Sequence, residues 1–260
     1  MSERYSFEGK SDVGIQKIVN EDYIDTLHLD DDTLLLLIAD GSGSGPEGFQ
    51  PAIIASAEIK TTVKRIFDKR PALALNSSDL VLYEAYMNAN RVLSVFAVCD
   101  PERYLRIGCS VTCCLLYQRE KRTYASIASV GNTRLYLIRL SKHSPSIHLL
   151  TVDHTKAADM VTAGLLNEED YYSHLDRLVI TSALGISPEP KIQILENILI
   201  KKDDIILMTT DGIHYAIRSE AMCDIVLQSG SCSDAVCSLI EAAKLEKYPD
   251  NMSAIVAYIP

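Results

Sequence analysis

Short acidic motifs are spread over almost the whole sequence, and their residue types suit the binding of divalent cations. They are Asn20-Glu21-Asp22, Asp40-Gly41, Asp211-Gly212 and Asp250-Asn251. Each Asp-Gly pair follows an apolar run that is typical of a buried strand, at 34–39 and 205–208. A carboxylate at the end of a buried strand is costly unless a positive charge compensates it. Because carboxylate oxygens suit Mg²⁺ and Mn²⁺, the motifs together predict one shared metal centre.

An ordinary turn after a strand is the alternative explanation of an Asp-Gly pair. Taken singly, such a pair is more often only a turn. This chain has two Asp-Gly pairs after buried strands and a further acidic pair near its C-terminus. The whole series therefore favours a metal centre over unrelated turns.

The composition favours a folded domain with a sizeable core. The chain has 260 residues, of which 47% are hydrophobic, and this suits one large domain or two small ones. No Pro- or Gly-rich linker divides the sequence, so we predict a single domain over residues 1–260. The formal net charge of −10 argues against a nucleic-acid interface, which needs a basic face, and against docking to anionic lipid.

Signals for export or membrane insertion are not found in the sequence. The longest apolar runs have the length of strands, and the first residues lack an apolar signal core. The seven cysteines include no CxxC pair, and free thiols are the default for such a chain. We therefore expect a cytoplasmic protein.

Clusters of strands alternate with pairs of helices along the chain. Strands are predicted at 11–17, 23–29, 33–39, 109–117, 123–130, 134–139 and 147–151, near 179 and 192, and at 204–209 and 252–258. Helices are predicted at 51–67, 78–98, 156–163, 219–228 and 233–246, and a mobile flap at 166–176. Because regular βαβ units are missing from this pattern, it predicts an α+β fold with antiparallel sheets covered by helix pairs.

The order and spacing of the motifs carry a family resemblance over residues 11–258. The matching blocks are Ser11-Asp12-Val13-Gly14, Asn20-Glu21-Asp22, Ala39-Asp40-Gly41, Val130-Gly131-Asn132-Thr133-Arg134, Leu150-Thr151-Val152-Asp153-His154-Thr155, Ala183-Leu184-Gly185, Thr210-Asp211-Gly212 and Asp250-Asn251. Together they resemble the metal-dependent Ser/Thr protein phosphatases of the type 2C (PPM) family, and the compact chain is similar to bacterial members. The resemblance implies a four-layer α-β-β-α sandwich, in which helix pairs flank two antiparallel β-sheets.

The resemblance also implies a centre of two divalent cations, Mn²⁺ or Mg²⁺. Asp40 would bridge both ions and the Gly41 carbonyl would bind one of them, while Asp211 and Asp250 would bind the other. Two such ions, about 3.5–4 Å apart, acidify a bridging water and neutralise charge on a phosphoryl group. The implied activity is the hydrolysis of phosphoserine and phosphothreonine in proteins.

Further residues of the motifs receive supporting roles from the same resemblance. Glu21 and Asp22 would hold metal-bound waters. Lys17 stands where the family usually has an arginine that grips the substrate phosphate. A lysine keeps the positive charge and loses the bidentate fork, so we expect weaker phosphate binding. The alternative for Lys17 is a solvated side chain on an early strand.

Two further departures from the family pattern bear on the chemistry. Asn132 replaces an aspartate that helps to hold a third ion in bacterial relatives, and a neutral amide is a poorer cation ligand, so a third metal site is doubtful. Ser42 stands where many eukaryotic members have a histidine proposed as general acid. His214 is near the site in sequence and is a candidate for that role, although a packing or surface histidine is the more common case.

These departures leave alternative functions open. Phosphorylated proteins are the expected substrates of a monomeric enzyme that opposes a Ser/Thr kinase. The substitutions at Lys17, Ser42 and Asn132 also fit a catalytically weak or inactive module that binds a phosphoprotein partner. A phosphoesterase for small phosphorylated molecules is a third reading. Retention of the whole acidic set favours the enzyme.

Overall fold

Two five-stranded antiparallel sheets form the centre of the computed structural model, which describes residues 4–43, 50–99, 104, 107–141 and 144–260. The first sheet has the order β1-β10-β9-β6-β7 and the second the order β2-β3-β4-β5-β8. The first contains β1 (Ser6–Asp12), β6 (Arg134–Arg139), β7 (Ser146–Leu149), β9 (Ile205–Thr209) and β10 (Met252–Tyr258). The second contains β2 (Asp22–Asp30), β3 (Thr33–Ser42), β4 (Gly108–Arg119), β5 (Arg122–Val130) and β8 (Gln193–Ile200).

Helices cover the outer face of each sheet. They are α1 (Pro51–Lys69), α2 (Pro71–Asn76), α3 (Ser78–Cys99), α4 (Lys156–Thr162), α5 (Glu168–Tyr171), α6 (Asp211–His214), α7 (Ser219–Gln228) and α8 (Cys232–Leu245), with a 3₁₀ turn at Leu175–Leu178. Helices α1 and α3 pack on the second sheet, and α7 and α8 pack on the first. This arrangement confirms the predicted α+β fold and its four-layer α-β-β-α sandwich. Within the described ranges, no helix combines the length and apolarity that crossing a membrane requires.

The apolar run in β3 is continuous because both faces of this strand are buried. Leu36 and Ile38 face the first sheet in the core between the sheets, whereas Leu37 and Ala39 face α1 and α3. Successive side chains of a strand point to opposite faces. The same alternation directs Asp40 towards the other sheet at the end of the strand, which is where the metal centre is predicted.

One predicted strand is wrong, at residues 11–17. The first strand lies earlier and pairs along its whole length with β10. It ends at Asp12, whose carboxylate accepts a hydrogen bond from the backbone N–H of Gly14 at 2.9 Å. Gly14 has φ +76°, a left-handed conformation that glycine adopts without strain and that ends a strand. The chain therefore turns here, and Lys17 lies in a loop.

The region from the predicted helix at 156–163 to residue 180 also differs in detail from the sequence prediction. The predicted strand near Val179 is reduced to an isolated bridge between Thr155 and Ile180. The segment predicted as a flap contains α5 and the 3₁₀ turn, and Tyr171 within it is buried. A buried aromatic residue fastens this segment to the body of the protein, so it is not a loop without structure. Its mobility stays a prediction.

The core between the sheets generates a stability prediction. Leu36 is fully buried there, so Leu36→Ala is expected to lower the free energy of unfolding by about 2–5 kcal/mol through lost burial and a residual cavity. Urea denaturation followed by circular dichroism measures the change. Leu80→Ala is the matched control, because Leu80 on α3 is 66% exposed, and it should change stability by less than about 0.5 kcal/mol. Equal losses in the two variants would contradict the assigned core.

Candidate metal centre

The ends of two central strands bring carboxylates from both sheets to one small cavity. Asp40 ends the run of β3, and Asp211 follows β9 at the start of α6. Both line a cavity of about 80 Å³ together with Ser42, Ser110 and Asn132. Its apolar lining residues are Leu178, Ile180, Ala183 and Ile186. The cavity thus combines two carboxylates with apolar side chains.

Asp22 connects the two sheets beside this cavity. It starts β2 and lies directly opposite Asp40 in the register of the second sheet. Its Oδ2 atom accepts hydrogen bonds from the hydroxyls of Thr210 and Ser253, each at 2.7 Å, and both residues belong to the first-sheet side. Charge-assisted bonds of this kind are among the stronger ones in proteins. Asp22 therefore holds the ends of the two sheets together at the site.

Asn251 fixes the loop that follows β1. Its Oδ1 atom accepts a hydrogen bond from the Glu21 backbone N–H at 2.9 Å. Its Nδ2 group donates to the backbone carbonyls of Val13 at 2.9 Å and Val19 at 3.0 Å. One side chain thus ties both ends of the loop to the C-terminal motif, which places Lys17 next to Asp250.

Lys17 supplies positive charge at the acidic side of the site. Its Nζ atom lies 3.0 Å from Asp250 Oδ1 and 3.8 Å from Glu21 Oε2. These two acids raise the pKa of Lys17 against the opposing effect of burial, so the ammonium stays charged. The contacts place Lys17, Glu21 and Asp250 in one group.

The glycines of the Asp-Gly motifs allow neighbouring segments to come into contact. A Cβ atom added at Gly212 would lie 1.8 Å from the backbone oxygen of Asn251. At Gly41 a Cβ atom would lie 3.1 Å from both the Ala52 nitrogen and the Glu21 oxygen. The Gly41 N–H also donates to the Glu21 carbonyl at 3.1 Å. Close backbone approach, which a side chain would block, explains glycine at both positions.

The carboxylates at the cavity raise one another's pKa. Burial raises the pKa of Asp22 and of Asp211 to about 7, and Asp250 adds repulsion to both. The pKa of Asp40 is also raised, first by burial and then by the charges of Asp211, Asp22 and Asp250. Neighbouring carboxylates that are buried together resist ionisation unless a cation joins them. The site therefore has the electrostatics of a cation-binding site.

The donor set fits hard divalent cations. Its atoms are carboxylate oxygens, with the amide of Asn132 and the hydroxyl of Ser42 at the same cavity. The Oδ1 atom of Asn132 is buried without a hydrogen-bond partner. Among the described residues, no group of three or more His, Cys, Asp or Glu side chains is already arranged so that it could hold a metal ion. Because Lys17 contacts Asp250, ion binding requires this carboxylate to turn away from the ammonium, whereas Asn132 already holds Asp211 in place.

The structure brings the predicted site residues into one region. Asp40 and Asp211 share the cavity, Gly41 and Asp22 adjoin Asp40, and Lys17 joins Glu21 to Asp250. Their separate roles as ligands stay predictions. His214 is buried on the far side of α6, where its Nδ1 atom lies 2.9 Å from the Thr209 hydroxyl. Burial and the charge of Arg134 lower its pKa well below the usual range, as is typical of a packed neutral histidine.

Sequence patterns did not predict the buried ion pair between Arg134 and Asp153. The Arg134 guanidinium donates to both oxygens of Asp153, at 2.9 and 2.7 Å, and both side chains are 3% exposed. The hydroxyl of Tyr171 donates to the same carboxylate, so the pair also fastens the segment predicted as a flap. Arg134 and Asp153 belong to recognised motifs, but no spacing rule shows that they pair.

The comparisons with known proteins agree with this fold. No protein-family model matches the sequence. A protein of Streptococcus pyogenes serotype M6 that is assigned to the 2C type of protein phosphatase is 24% identical over 253 residues, which cover 96% of this chain and 95% of that protein. The chain is thus similar in sequence to a type 2C protein phosphatase over nearly its whole length. A protein of known structure, the PPM Ser-Thr phosphatase MsPP of Mycobacterium smegmatis, superposes with a TM-score of 0.79 at 22% identity and 98% coverage of both chains.

A second structure shows the fold together with bound metal. The catalytic domain of the serine/threonine protein phosphatase PstP, solved in complex with two manganese ions, superposes with a TM-score of 0.75 at 23% identity. The alignment covers 98% of this chain and 97% of that domain. Both structural matches therefore extend over the complete sandwich.

Close packing at Gly212 gives a prediction for the stability of this protein. In Gly212→Ala the added methyl group collides with the Asn251 carbonyl, so the segments after β9 and before β10 must separate. We expect a loss of about 1–3 kcal/mol in the free energy of unfolding, measured by urea denaturation. Gly230→Ala is the control, since its nearest neighbour would be the Asp234 side chain at 3.6 Å, an ordinary contact. If Gly212→Ala were as stable as Gly230→Ala, the proposed contact would be wrong.

Proposed function

We propose that this chain is a metal-dependent phosphatase that hydrolyses phosphoserine and phosphothreonine in proteins. The observation that carries the proposal is the meeting of Asp40 and Asp211, from different sheets, at one cavity flanked by Asp22 and Asp250. Similarity over 96% of this chain to a Streptococcus pyogenes protein of the 2C type of protein phosphatase supports the same activity. We also propose that residues 1–260 form one phosphatase domain, because each sheet contributes carboxylates to this cavity.

Two divalent cations, Mn²⁺ or Mg²⁺, are the proposed cofactors, as in the PstP structure with two manganese ions. Asp40 and the Gly41 carbonyl would hold one ion, and Asp40, Asp211 and Asp250 the other. When bound, such ions lower the pKa of a water to near neutrality and neutralise phosphoryl charge. Asp22 would remain bonded to Thr210 and Ser253 while its carboxylate adds negative charge beside Asp40.

Lys17 is proposed to bind the substrate phosphate. The loop that carries it is fastened by Asn251, so its ammonium is held at the acidic side of the cavity. Glu21 is proposed to orient Lys17 as well as a metal-bound water, since it lies within 4 Å of the ammonium. A single ammonium attracts a phosphate as a point charge without the bidentate geometry of an arginine.

Protonation of the leaving oxygen is not assigned to His214. This side chain is not among the residues that line the cavity, and its ring packs against Tyr215 with centroids 4.8 Å apart. Its Nδ1 atom is engaged by Thr209. We therefore propose a packing role for His214.

A catalytically weak or inactive phosphoprotein-binding module is the second candidate. The contact between Lys17 and Asp250 favours it, because a lysine on a proposed metal ligand competes with the ion. Against it stands the complete acidic set at one cavity. Opposition to a Ser/Thr kinase, a monomeric state and a cytoplasmic location remain predictions.

Metal dependence tests the function directly. Hydrolysis of p-nitrophenyl phosphate is expected with Mn²⁺ or Mg²⁺ and is expected to stop in EDTA. Asp40→Asn and Asp211→Asn should each lower kcat by about 100-fold or more, because each removes a charge that holds the ions. Asp32→Asn, in the exposed turn between β2 and β3, is the control and should retain full activity. A folded protein that is inactive with every metal, or an Asp40→Asn variant with normal activity, would refute the proposal that this chain is a metal-dependent phosphatase.

Assays with phosphopeptides test the substrate class, and a Lys17 variant tests the phosphate site. Phosphoserine and phosphothreonine peptides should have a higher kcat/KM than sugar or nucleotide phosphates if proteins are the substrates. Lys17→Met should raise KM for a phosphopeptide about 10-fold, the effect of losing one charged hydrogen bond. Lys64→Met is the control, since Lys64 pairs with Asp68 on the surface of α1. An unchanged KM in Lys17→Met would remove Lys17 from the phosphate site.

A further inference from the structure

Asn132 is held in a rigid turn at the edge of the cavity. The N–H of Gly131, the residue before it, donates to His154 Nδ1 at 3.1 Å, and the Gly131 carbonyl accepts from the His154 N–H at 2.8 Å. The carbonyl of Thr133, the residue after it, accepts from the Thr112 hydroxyl at 3.0 Å. Because both neighbours are bonded to other segments, the position of the Asn132 side chain is fixed by the fold.

Both polar atoms of the Asn132 side chain lie at the proposed metal centre. Its Nδ2 group donates to Asp211 Oδ2 at 3.0 Å, and this bond opposes the rise in the pKa of Asp211. An ionised carboxylate only accepts hydrogen bonds, so the amide must present its N–H group to it. The Oδ1 atom is buried without a partner, the side chain is 2% exposed, and Asn132 lines the same cavity as Asp40.

A buried polar atom without a partner is costly in a folded protein. Asn132 Oδ1 is therefore expected to accept a hydrogen bond from a donor in the cavity, such as a water. The cavity of about 80 Å³ has room for at least one water molecule. The amide thus offers Asp211 a permanent donor and offers the cavity a neutral acceptor.

We propose that Asn132 is a positioning residue whose amide N–H holds Asp211 in place and whose neutral side chain does not fit a third divalent cation. It orients Asp211 and partly compensates its charge without adding a negative group to the site. The two proposed ions consequently meet an Asp211 that is already aligned, and Asn132 offers no carboxylate to a third ion. This inference rests on the proposed function, since Asn132 affects ion binding only if the cavity binds ions.

Isothermal titration of the metal-free full chain with Mn²⁺ tests the inference without any activity assay. The wild type is expected to bind two ions per chain. Asn132→Ala should bind two ions about 10–100-fold more weakly, the range found when the partner of a metal ligand is removed. Asn132→Asp should bind three ions, because it places a second carboxylate beside Asp211. Asn88→Ala on α3, where Asn88 donates to Thr62, is the control and should match the wild type.

The possible outcomes separate the inference from the proposed function. A folded wild type that binds no Mn²⁺ would refute the metal centre itself. A wild type that binds three ions, or an Asn132→Asp variant that binds only two, would overturn the claim that the neutral amide excludes a third ion. Wild-type affinity in Asn132→Ala would overturn the positioning role. Circular dichroism establishes folding, and the nearly isosteric Asn132→Asp variant decides the question if Asn132→Ala does not fold.

Discussion

Four carboxylates come together where the ends of the two sheets meet. The functional part of this structure depends on how their negative charge is compensated. Asp22 and Asp40 come from the second sheet, and Asp211 and Asp250 from the first-sheet side. The burial of Asp22 and Asp211 and the repulsion among the four carboxylates are unfavourable while no cation joins them. The protein meets this constraint partly with hydrogen bonds, through Thr210 and Ser253 to Asp22 and through Asn132 to Asp211. We propose that bound divalent ions compensate the rest of this negative charge.

The chain treats its buried carboxylates in two different ways. Asp153 lies against the guanidinium of Arg134 and accepts from Tyr171, so its charge is balanced within the fold. Asp40 has no such ion pair in the part of the chain that the structure describes. The contrast distinguishes a carboxylate that stabilises the fold from one that is kept available for a ligand. Both belong to family motifs, so motif membership alone does not separate the two roles.

Much of the fold followed from hydrophobic periodicity. The helices on both outer faces and the strands β3 to β6 lie within a few residues of their predicted bounds, because long apolar runs and amphipathic helices have clear periods. The prediction was wrong at residues 11–17, where the Asp12 side chain bonds the Gly14 N–H and turns the chain. A side-chain bond to the backbone can end a strand without changing the local hydrophobic pattern.

By itself, the sequence determined the residue types, their order and the strand ends that carry them, and these suffice to predict an oxygen-rich metal centre that resembles the type 2C kind. Only the tertiary structure decided which groups meet. Asn251 draws the loop of Lys17 onto Asp250, and Asn132 faces Asp211 across 79 positions of the chain. Contacts between distant segments depend on sheet packing and side-chain direction, which no local pattern encodes. The division between paired and available carboxylates is therefore a property of the folded protein.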